Sequence, residues 1–557
     1  MEKIWLKQYP TGVPAEIDAT LYPSLVALLD DSFRRYADRL AYKFMGRSIS
    51  FREIDQASLK LAAWLQGQGL VQGDRVAVMM PNVPQYPVAV AAILRAGLVV
   101  VNVNPLYTPR ELEHQLKDSG AKAIVVLENF AGVLAQVMAS VPSKKVLLAS
   151  MGDMLGFPKS LLVNYVVRKV KKMVPAFDIA GAVRFNDALS AGRRMPFAAA
   201  RVGADDIAVL QYTGGTTGVS KGAVLLHKQL VANILQSEAW YQPALKKIPT
   251  GEQIVTICAL PIYHIFGFNA NMMLGIRMGG ANILIANPRD LPGMFKQLRG
   301  EKFHSFPAVN TLFNAIAHHP EFASVDWSSL VISIGGGMAV QSATAKLWLE
   351  KTGCPIVEGY GLSETSPSAS CNPVDSTAFS GNIGLPMPST EMTLLDDDGN
   401  EVPIGTAGEI AIRGPQVMAG YWQRPDETAK AMTADGYFRS GDIGIVDARG
   451  YFKIVDRKKD MILISGFNVY PNEVEDVVTQ MPGILECAVV GVADAKAGEA
   501  VKLVIVRKDP AVTEAMVRAY CEANLTGYKR PKVVEFRTDL PKSPVGKILR
   551  RELRDKA

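Results

Sequence analysis

The chain has 557 residues, 48% hydrophobic and 20% charged, which excludes a disordered or fibrous protein and calls for about two to four folding units. Its net charge of +6 suits anionic small molecules or an anionic membrane surface, but the chain lacks the dense basic stripe that nucleic acid requires. Cys258, Cys354, Cys371, Cys487 and Cys521 are scattered without C-x-x-C spacing, which argues for reduced thiols in a cytosolic setting and against a zinc site.

The start, Met1-Glu2-Lys3-Ile4-Trp5-Leu6-Lys7, holds no apolar core long enough for a signal peptide. From residue 25 to 126 helical and strand patterns alternate. Residues 52–68 read as a helix, 75–80 as a strand, 86–96 as a helix, 99–103 as a strand, 109–119 as a helix and 123–126 as a strand. Such alternation predicts right-handed crossovers and a largely parallel sheet. At 100° per residue, the stretch 161–174 places Leu162, Val163, Val166, Val167, Val170, Met173 and Val174 on one face. Asn164, Arg168, Lys169, Lys171 and Lys172 share the other. The segment reads either as a basic amphipathic helix on anionic lipid or as a surface helix packed on the core. Leu161 and Tyr165 interrupt the polar face and favour the second reading.

The stretch 207–211 is an apolar strand leading into Tyr212-Thr213-Gly214-Gly215-Thr216-Thr217-Gly218-Val219-Ser220-Lys221-Gly222, and 223–226 is an apolar strand leading out. Glycines let the backbone turn tightly, and amides, hydroxyls and an ammonium are all donors to a polyphosphate. The spacing is not that of a Walker loop, and no helix follows directly. A hairpin closing over phosphates is expected. A second round of strands follows at 254–260, 281–286 and 330–334. The apolar run 254–276, broken by Pro261, His264, Asn269 and Asn271, reads as strand, turn and helix, and no run reaches the ~18 apolar residues of a spanning helix. After residue 391 short strands and tight turns predict a small β subdomain. A charged stretch, Asp456-Arg457-Lys458-Lys459-Asp460, reads as a hinge before a small α+β domain with helices at 471–481 and 513–523 and strands at 485–492 and 500–506. The expected fold is therefore α/β: a large part over 1–455, with its β-rich subdomain at about 390–455, then the hinge 456–460 and a lid domain over 461–557.

Four further motifs carry chemistry. Gly335-Gly336-Gly337-Met338 allows close backbone approach to a flat ligand. Gly359-Tyr360-Gly361-Leu362-Ser363-Glu364-Thr365 sets an aromatic ring beside glycines and adds a carboxylate suited to a hard cation such as Mg²⁺. Asp442 and Arg457 are candidates for a ribose. Lys547 lies in a Pro/Gly-rich loop near the carboxyl end. Singly each has an ordinary structural explanation; in this order and together they do not.

The set resembles the adenylate-forming superfamily of acyl-CoA synthetases, luciferases and carrier-loading adenylation domains, over nearly the whole chain. The stretches 435–444 and 452–459 are similar to the signature of fatty-acyl-CoA synthetases. Val103-Asn104-Pro105-Leu106-Tyr107-Thr108-Pro109-Arg110-Glu111-Leu112 and the stretch 465–475 resemble bacterial long-chain fatty acid–CoA ligases. The resemblance implies two stacked αβα-type subdomains and a mobile lid. It implies a carboxylate attacking the ATP α-phosphorus to give acyl-AMP and pyrophosphate, followed by displacement of AMP by coenzyme A. The loop 212–222 would hold the β- and γ-phosphates, with Thr213 and Glu364 as Mg²⁺ ligands. Lys547 would bridge carboxylate and α-phosphate. Tyr360 would stack on adenine in a pocket lined by Gly337, Glu358 and Gly359, with Ser363 beside it. Asp442 and Arg457 would hold the ribose. His264 would wall the junction between the acyl and nucleotide pockets, or be a core histidine, and Phe268 would stand at the acyl tunnel. Lys459 would occupy the hinge. Lid rotation would withdraw Lys547 and bring Gly466 and Phe467 to a coenzyme A channel. The partners implied are fatty acid, ATP and CoA, with peripheral contact to inner-membrane lipid and a homodimer left open, and no nucleic acid. Loading of a carrier protein with the acyl group, and nucleotide-regulated lipid binding without turnover, are the competing readings.

Overall fold

The structure is a computed structural model and describes residues 1–213, 220–457, 459–464, 467–494, 497–543 and 546–554. Two large sheets dominate it. In the eight-stranded sheet the order is Gly420–Tyr421, Lys221–Leu226, Ile207–Thr213, Val99–Asn102, Arg75–Met79, Ala123–Leu127, Lys145–Ala149 and Val183–Arg184. Its strands from Ile207–Thr213 to Val183–Arg184 run parallel, and the edge pairs at Lys221–Leu226 and Gly420–Tyr421 are antiparallel. The nine-stranded sheet has six adjacent parallel strands at its centre: Ile356–Gly361, Ile332–Gly335, Ser305–Ala308, Val255–Cys258, Ala281–Leu284 and Leu40–Phe44.

Strand alternation sorts side chains into layers. In Arg75–Met79, Val76 and Val78 enter one core while Ala77 and Met79 enter another. The first core also takes Cys258, Leu284, Ile332 and Ile334 of the nine-stranded sheet, so the two sheets share it. Helices Phe51–Gly67, Gln85–Arg95 and His227–Leu245 supply its filling. Pro109–Ser119 covers the outer face of the eight-stranded sheet through Leu112 and Leu116. On the outer face of the nine-stranded sheet, Phe306, Phe313, Trp327 and Trp348 form a buried aromatic cluster. The expected pair of stacked αβα layers is thus present, with the central helices common to both.

A four-stranded antiparallel sheet, Glu391–Leu395, Gly408–Arg413, Phe438–Val446 and Phe452–Arg457, follows. The chain then turns, with the Asp460 and Met461 amides donating to the Arg457 carbonyl, and enters a separate sheet. That sheet contains Ile462–Ile464, Phe467–Val469, Ile484–Asp494, Gly498–Arg507 and Val533–Arg537, and packs on helices Pro471–Thr479 and Glu514–Asn524 around a core of its own.

One expectation is overturned. In the stretch 161–174, Leu162, Val170 and Met173 are exposed, although periodicity placed them on the packed face. Asn164 and Arg168, placed on the polar face, turn inward: the Asn164 Oδ1 accepts from the Gly152 amide at 2.7 Å and Arg168 pairs with the buried Glu128 at 2.9 Å. The reason is a change of helical pitch. The segment is α-helical over Lys159–Tyr165 and π-helical over Val166–Val170, so a uniform 100° step misassigns its faces.

Candidate active site

The site forms where strands of both large sheets end. Their carboxyl ends bring Thr213, Cys258 with the following turn to His264, Ala308, Gly335 and Gly361 to one side, where open α/β sheets bind ligands. Gly337 has φ +77°, a left-handed conformation that favours glycine. At Gly361 a Cβ would lie 1.7 Å from the Pro367 carbonyl oxygen, so only glycine permits this turn.

Strands Ile207–Thr213 and Lys221–Leu226 form an antiparallel hairpin, as the apolar runs predict. Its stem is braced from outside. The Tyr212 hydroxyl donates to Asp118 at 2.7 Å, Asp118 also pairs with Arg424 at 2.7 Å, and His114 Nε2 lies 3.2 Å from the Ser220 carbonyl. Lys221 forms an ion pair with Glu427 and sits over the Tyr421 ring. Gly222 packs against the Tyr212 ring, where a Cβ would approach within 3.1 Å. Residues 214–219, which include Gly214, Gly215, Thr216, Thr217, Gly218 and Val219, lie outside the described residues. Glu364, in a short 3₁₀ turn with Ser363, is buried and accepts from the Tyr421 hydroxyl at 2.8 Å. Burial pushes its carboxyl above the ordinary range against that hydrogen bond.

A second group lies across the four-stranded sheet. The Tyr360 hydroxyl donates to Asp442 Oδ2 at 2.7 Å, and Arg457 Nε stands 3.2 Å from Asp442 Oδ1. Asp442 and Arg457 are direct partners in the antiparallel ladder, which fixes that pair. Ser440, Gly441, Asp442, Arg457 and Lys459 line a cavity of about 290 Å³. Glu358, at the end of its strand, accepts from the Val340 amide at 3.0 Å, and burial pushes its carboxyl up to about 8. Gly359 pairs with Cys371 across the ladder and sits against Gly336 through its carbonyl.

Lys547 reaches this place from the far end of the chain. Burial, followed by the Arg457 charge, pushes its ammonium down to about 7, while Asp442 acts the other way. His264 is pushed down to about 4, first by burial and then by the Lys547 charge. Its Nδ1 accepts from the Phe266 amide at 3.3 Å, capping the turn that follows. The loop carrying Lys547 is seated on the large domain: Thr311 Oγ1 donates to the Gly546 carbonyl at 3.0 Å and Arg289 donates to the Ser543 carbonyl at 3.3 Å. Asn314 donates to the Leu485 carbonyl at 3.1 Å, and Asp476 of the lid accepts both the amide and the hydroxyl of Ser342, at 3.0 and 2.8 Å. Residues separated by 283 positions, His264 and Lys547, are therefore electrostatic neighbours.

Phe268 is fully buried in the main core, at the start of a π-helical turn. Lys459 is exposed; burial of its ammonium group and the Arg457 charge lower its pKa. Gly466 lies outside the described residues, and Phe467 opens the strand Phe467–Val469. Sequence reasoning missed Tyr421, Glu427, Asp118, Asp476 and Arg550. The last is a half-buried hub that reaches Glu475 at 2.8 Å, Asn472 at 2.5 Å and Asp456 at 3.7 Å. Only Arg550 has a sequence signal, its place among the basic residues near the carboxyl end, a pattern that ordinarily marks a solvated face.

Comparison with known proteins supplies the family. A model described as AMP-binding enzyme matches residues 29–422, and one described as AMP-binding enzyme C-terminal domain matches 473–547. This chain belongs to the AMP-binding enzyme family. Within that family it is 54% identical, over 100% of its length and 99% of the relative's, to a long-chain-fatty-acid–CoA ligase of Salmonella typhimurium. Among solved structures it is similar to the anthranilate CoA ligase AuaEII in complex with anthranoyl-AMP, with TM-score 0.83 and 26% identity over 96% of this chain and 98% of that one. ATP-bound MatB from Rhodopseudomonas palustris gives TM-score 0.79 and 30% identity, over 95% and 98%. The first matched segment contains His264 and the second ends at Lys547, while Asp442 and Arg457 lie between the two.

Proposed function

We propose that this AMP-binding enzyme is a fatty acid–CoA ligase that converts a medium- to long-chain fatty acid, ATP and CoA to acyl-CoA, AMP and pyrophosphate through an acyl-adenylate. The observation that carries the reading is the convergence of Lys547 on the Asp442, Arg457 and His264 group, in a chain 54% identical throughout to a long-chain-fatty-acid–CoA ligase. A free carboxylate is a poor acyl donor because its leaving group would be oxide; adenylation makes AMP the leaving group. The barrier is electrostatic, since an anion approaches a polyanion, and fixed donors in a dry site lower it. In this reading the hairpin loop 212–222 cradles the β- and γ-phosphates, and Lys547 neutralises charge between the carboxylate and the α-phosphate. Asp442 and Arg457 hold the ribose, and Tyr360, Gly337, Glu358 and Gly359 form the adenine pocket. Neutral His264 excludes water where the acyl group meets the nucleotide, and Phe268 bounds the acyl side.

The oxygen donors here suit Mg²⁺, which takes one or two carboxylates and leaves its other positions to water and phosphate. Buried Glu364 is such a carboxylate, and Thr213 ends the strand beside it; the ion would neutralise triphosphate oxygens. The segment 456–460 serves as hinge, with Lys459 in it, and rotation of the lid about it exchanges Lys547 for Gly466 and Phe467 at the CoA entrance. The enzyme acts in the cytoplasm at the inner face of the membrane. Pyrophosphate release that requires fatty acid, with thioester formation that requires CoA, tests the reading. Pyrophosphate release without any CoA-dependent thioester would instead support loading of a carrier protein.

A further inference from the structure

Among the described residues, six of the fourteen exposed large apolar side chains fall within residues 157–173: Phe157, Leu161, Leu162, Tyr165, Val170 and Met173, each 50–86% exposed. The other eight are scattered singly, which is ordinary for a surface. A concentrated patch of this kind marks an interaction site. Its backing is rigid. Arg168 and Arg184 both bind the buried Glu128, Asn164 holds the Gly152 amide, and the Asn129 side chain donates to the Met173 carbonyl at 3.3 Å. The helix is thus pinned by its inner face while its outer face stays apolar.

We infer that residues 157–173 form a docking surface for an anionic lipid bilayer. The charges select this occupant. Lys169, Lys171 and Lys172 are exposed at the rim of the patch, and none is paired with an acid among the described residues. In a two-fold dimer built on this face, the same three ammonium groups would confront their own copies, since both subunits present the same patch. A negatively charged headgroup layer meets them favourably, while the apolar side chains enter the acyl boundary and Tyr165 and Phe157 occupy the interfacial zone that aromatic rings prefer. The proposal rests on the ligase reading for its purpose, because a long-chain fatty acid resides in the bilayer. Binding itself needs no substrate.

The test uses the full chain with sedimented vesicles, either of phosphatidylcholine alone or mixed with phosphatidylglycerol, and octanoate-dependent pyrophosphate release as a second readout. The intact protein is expected to bind the anionic vesicles and to be released by salt. Each lysine near an anionic surface contributes roughly fivefold, so K169E/K171E/K172E should weaken binding by about 100-fold or more. Leu161→Asp with Leu162→Asp should abolish binding. Both variants should keep wild-type turnover of octanoate, a water-soluble acid, which shows that they fold; Leu161→Ala with Leu162→Ala, a milder change, should weaken binding without loss of fold. Equal binding by wild type and the aspartate variant would overturn the proposal. So would absence of wild-type binding, or conversion of a dimer to a monomer by the aspartate pair with vesicle binding unchanged. Failure of the wild type to turn over octanoate and longer fatty acids alike would overturn the ligase reading and leave the vesicle result standing.

Discussion

Lys547 is a cation held from water among cations: burial first, then Arg457, Arg550 and Lys459, lower its affinity for a proton, against the pull of Asp442. Such crowding is costly unless an anion arrives, and a triphosphate with a carboxylate supplies it. Lys547→Ala should therefore remove acyl-adenylate formation by about 10²–10³-fold or more, the range lost when one preorganised electrostatic donor is deleted. Thioester formation from supplied acyl-AMP should persist, because the proposed lid rotation would by then carry the lysine away; equal loss of both half-reactions would contradict the assignment. Glu364 is held by Tyr421 and kept from water. Glu364→Ala should raise the Mg²⁺ concentration needed for half-maximal adenylation, and an unchanged Mg²⁺ dependence would remove it from the ion site. Tyr360 holds Asp442, which lines the cavity, so a nucleotide bound as proposed would meet a carboxylate already oriented.

At the scale of elements, the hairpin stem and most strands were legible in sequence because each is a short apolar run. Residues 207–211 and 223–226 pair as expected, and the observed helix Pro471–Thr479 lies within the predicted 471–481. The faces of 161–174 were not legible, since a π-helical turn has a period that a fixed 100° step cannot follow. The partners were not legible either. Tyr421 reaches Glu364 over 57 positions, Asp476 reaches Ser342 over 134, and Arg550 reaches Glu475 over 75, and no local pattern announces such pairs. Arg550 is the clearest case. It serves Glu475 and Asp456, both largely buried, and so joins the last strand of the β subdomain to the first helix of the lid. Removing it leaves two buried carboxylates without a guanidinium, a change that costs about 3–5 kcal/mol for a broken buried pair. Arg550→Ala should lower the lid's unfolding temperature in calorimetry while leaving the large domain's transition in place. A single unshifted transition would show that the cluster does not act this way.

For the whole molecule, the proton on Lys547 couples pH to the arrangement of the two bodies. Seated, the ammonium titrates near 7; released into water, it titrates near the ordinary lysine value of about 10.4. Between those values the released lid holds the extra proton, so seating without nucleotide strengthens as pH rises through this window and is weakest below about 7. Fluorescence transfer between dyes on the large domain and the lid should report more of the seated form at pH 9 than at pH 6.5. Lys547→Met should flatten the dependence, and ATP should flatten it too by restoring the ammonium. A wild-type signal that does not vary with pH would break the link.

The seating contacts have an evolutionary consequence. Thr311, Arg289 and Asn314 all grip main-chain carbonyl oxygens, of Gly546, Ser543 and Leu485, and not the side chains of those residues. Drift at position 485 among apolar residues of similar size can therefore proceed without loosening the latch. Position 546 has no such freedom: its φ is +83°, and a Cβ there would stand 3.0 Å from Thr311 Oγ1 and 3.1 Å from Val309 Cγ2. Gly546→Ala should accordingly mimic loss of the lysine itself, slowing adenylation while leaving the second half-reaction intact, whereas Leu485→Met should pass unnoticed in the same assay.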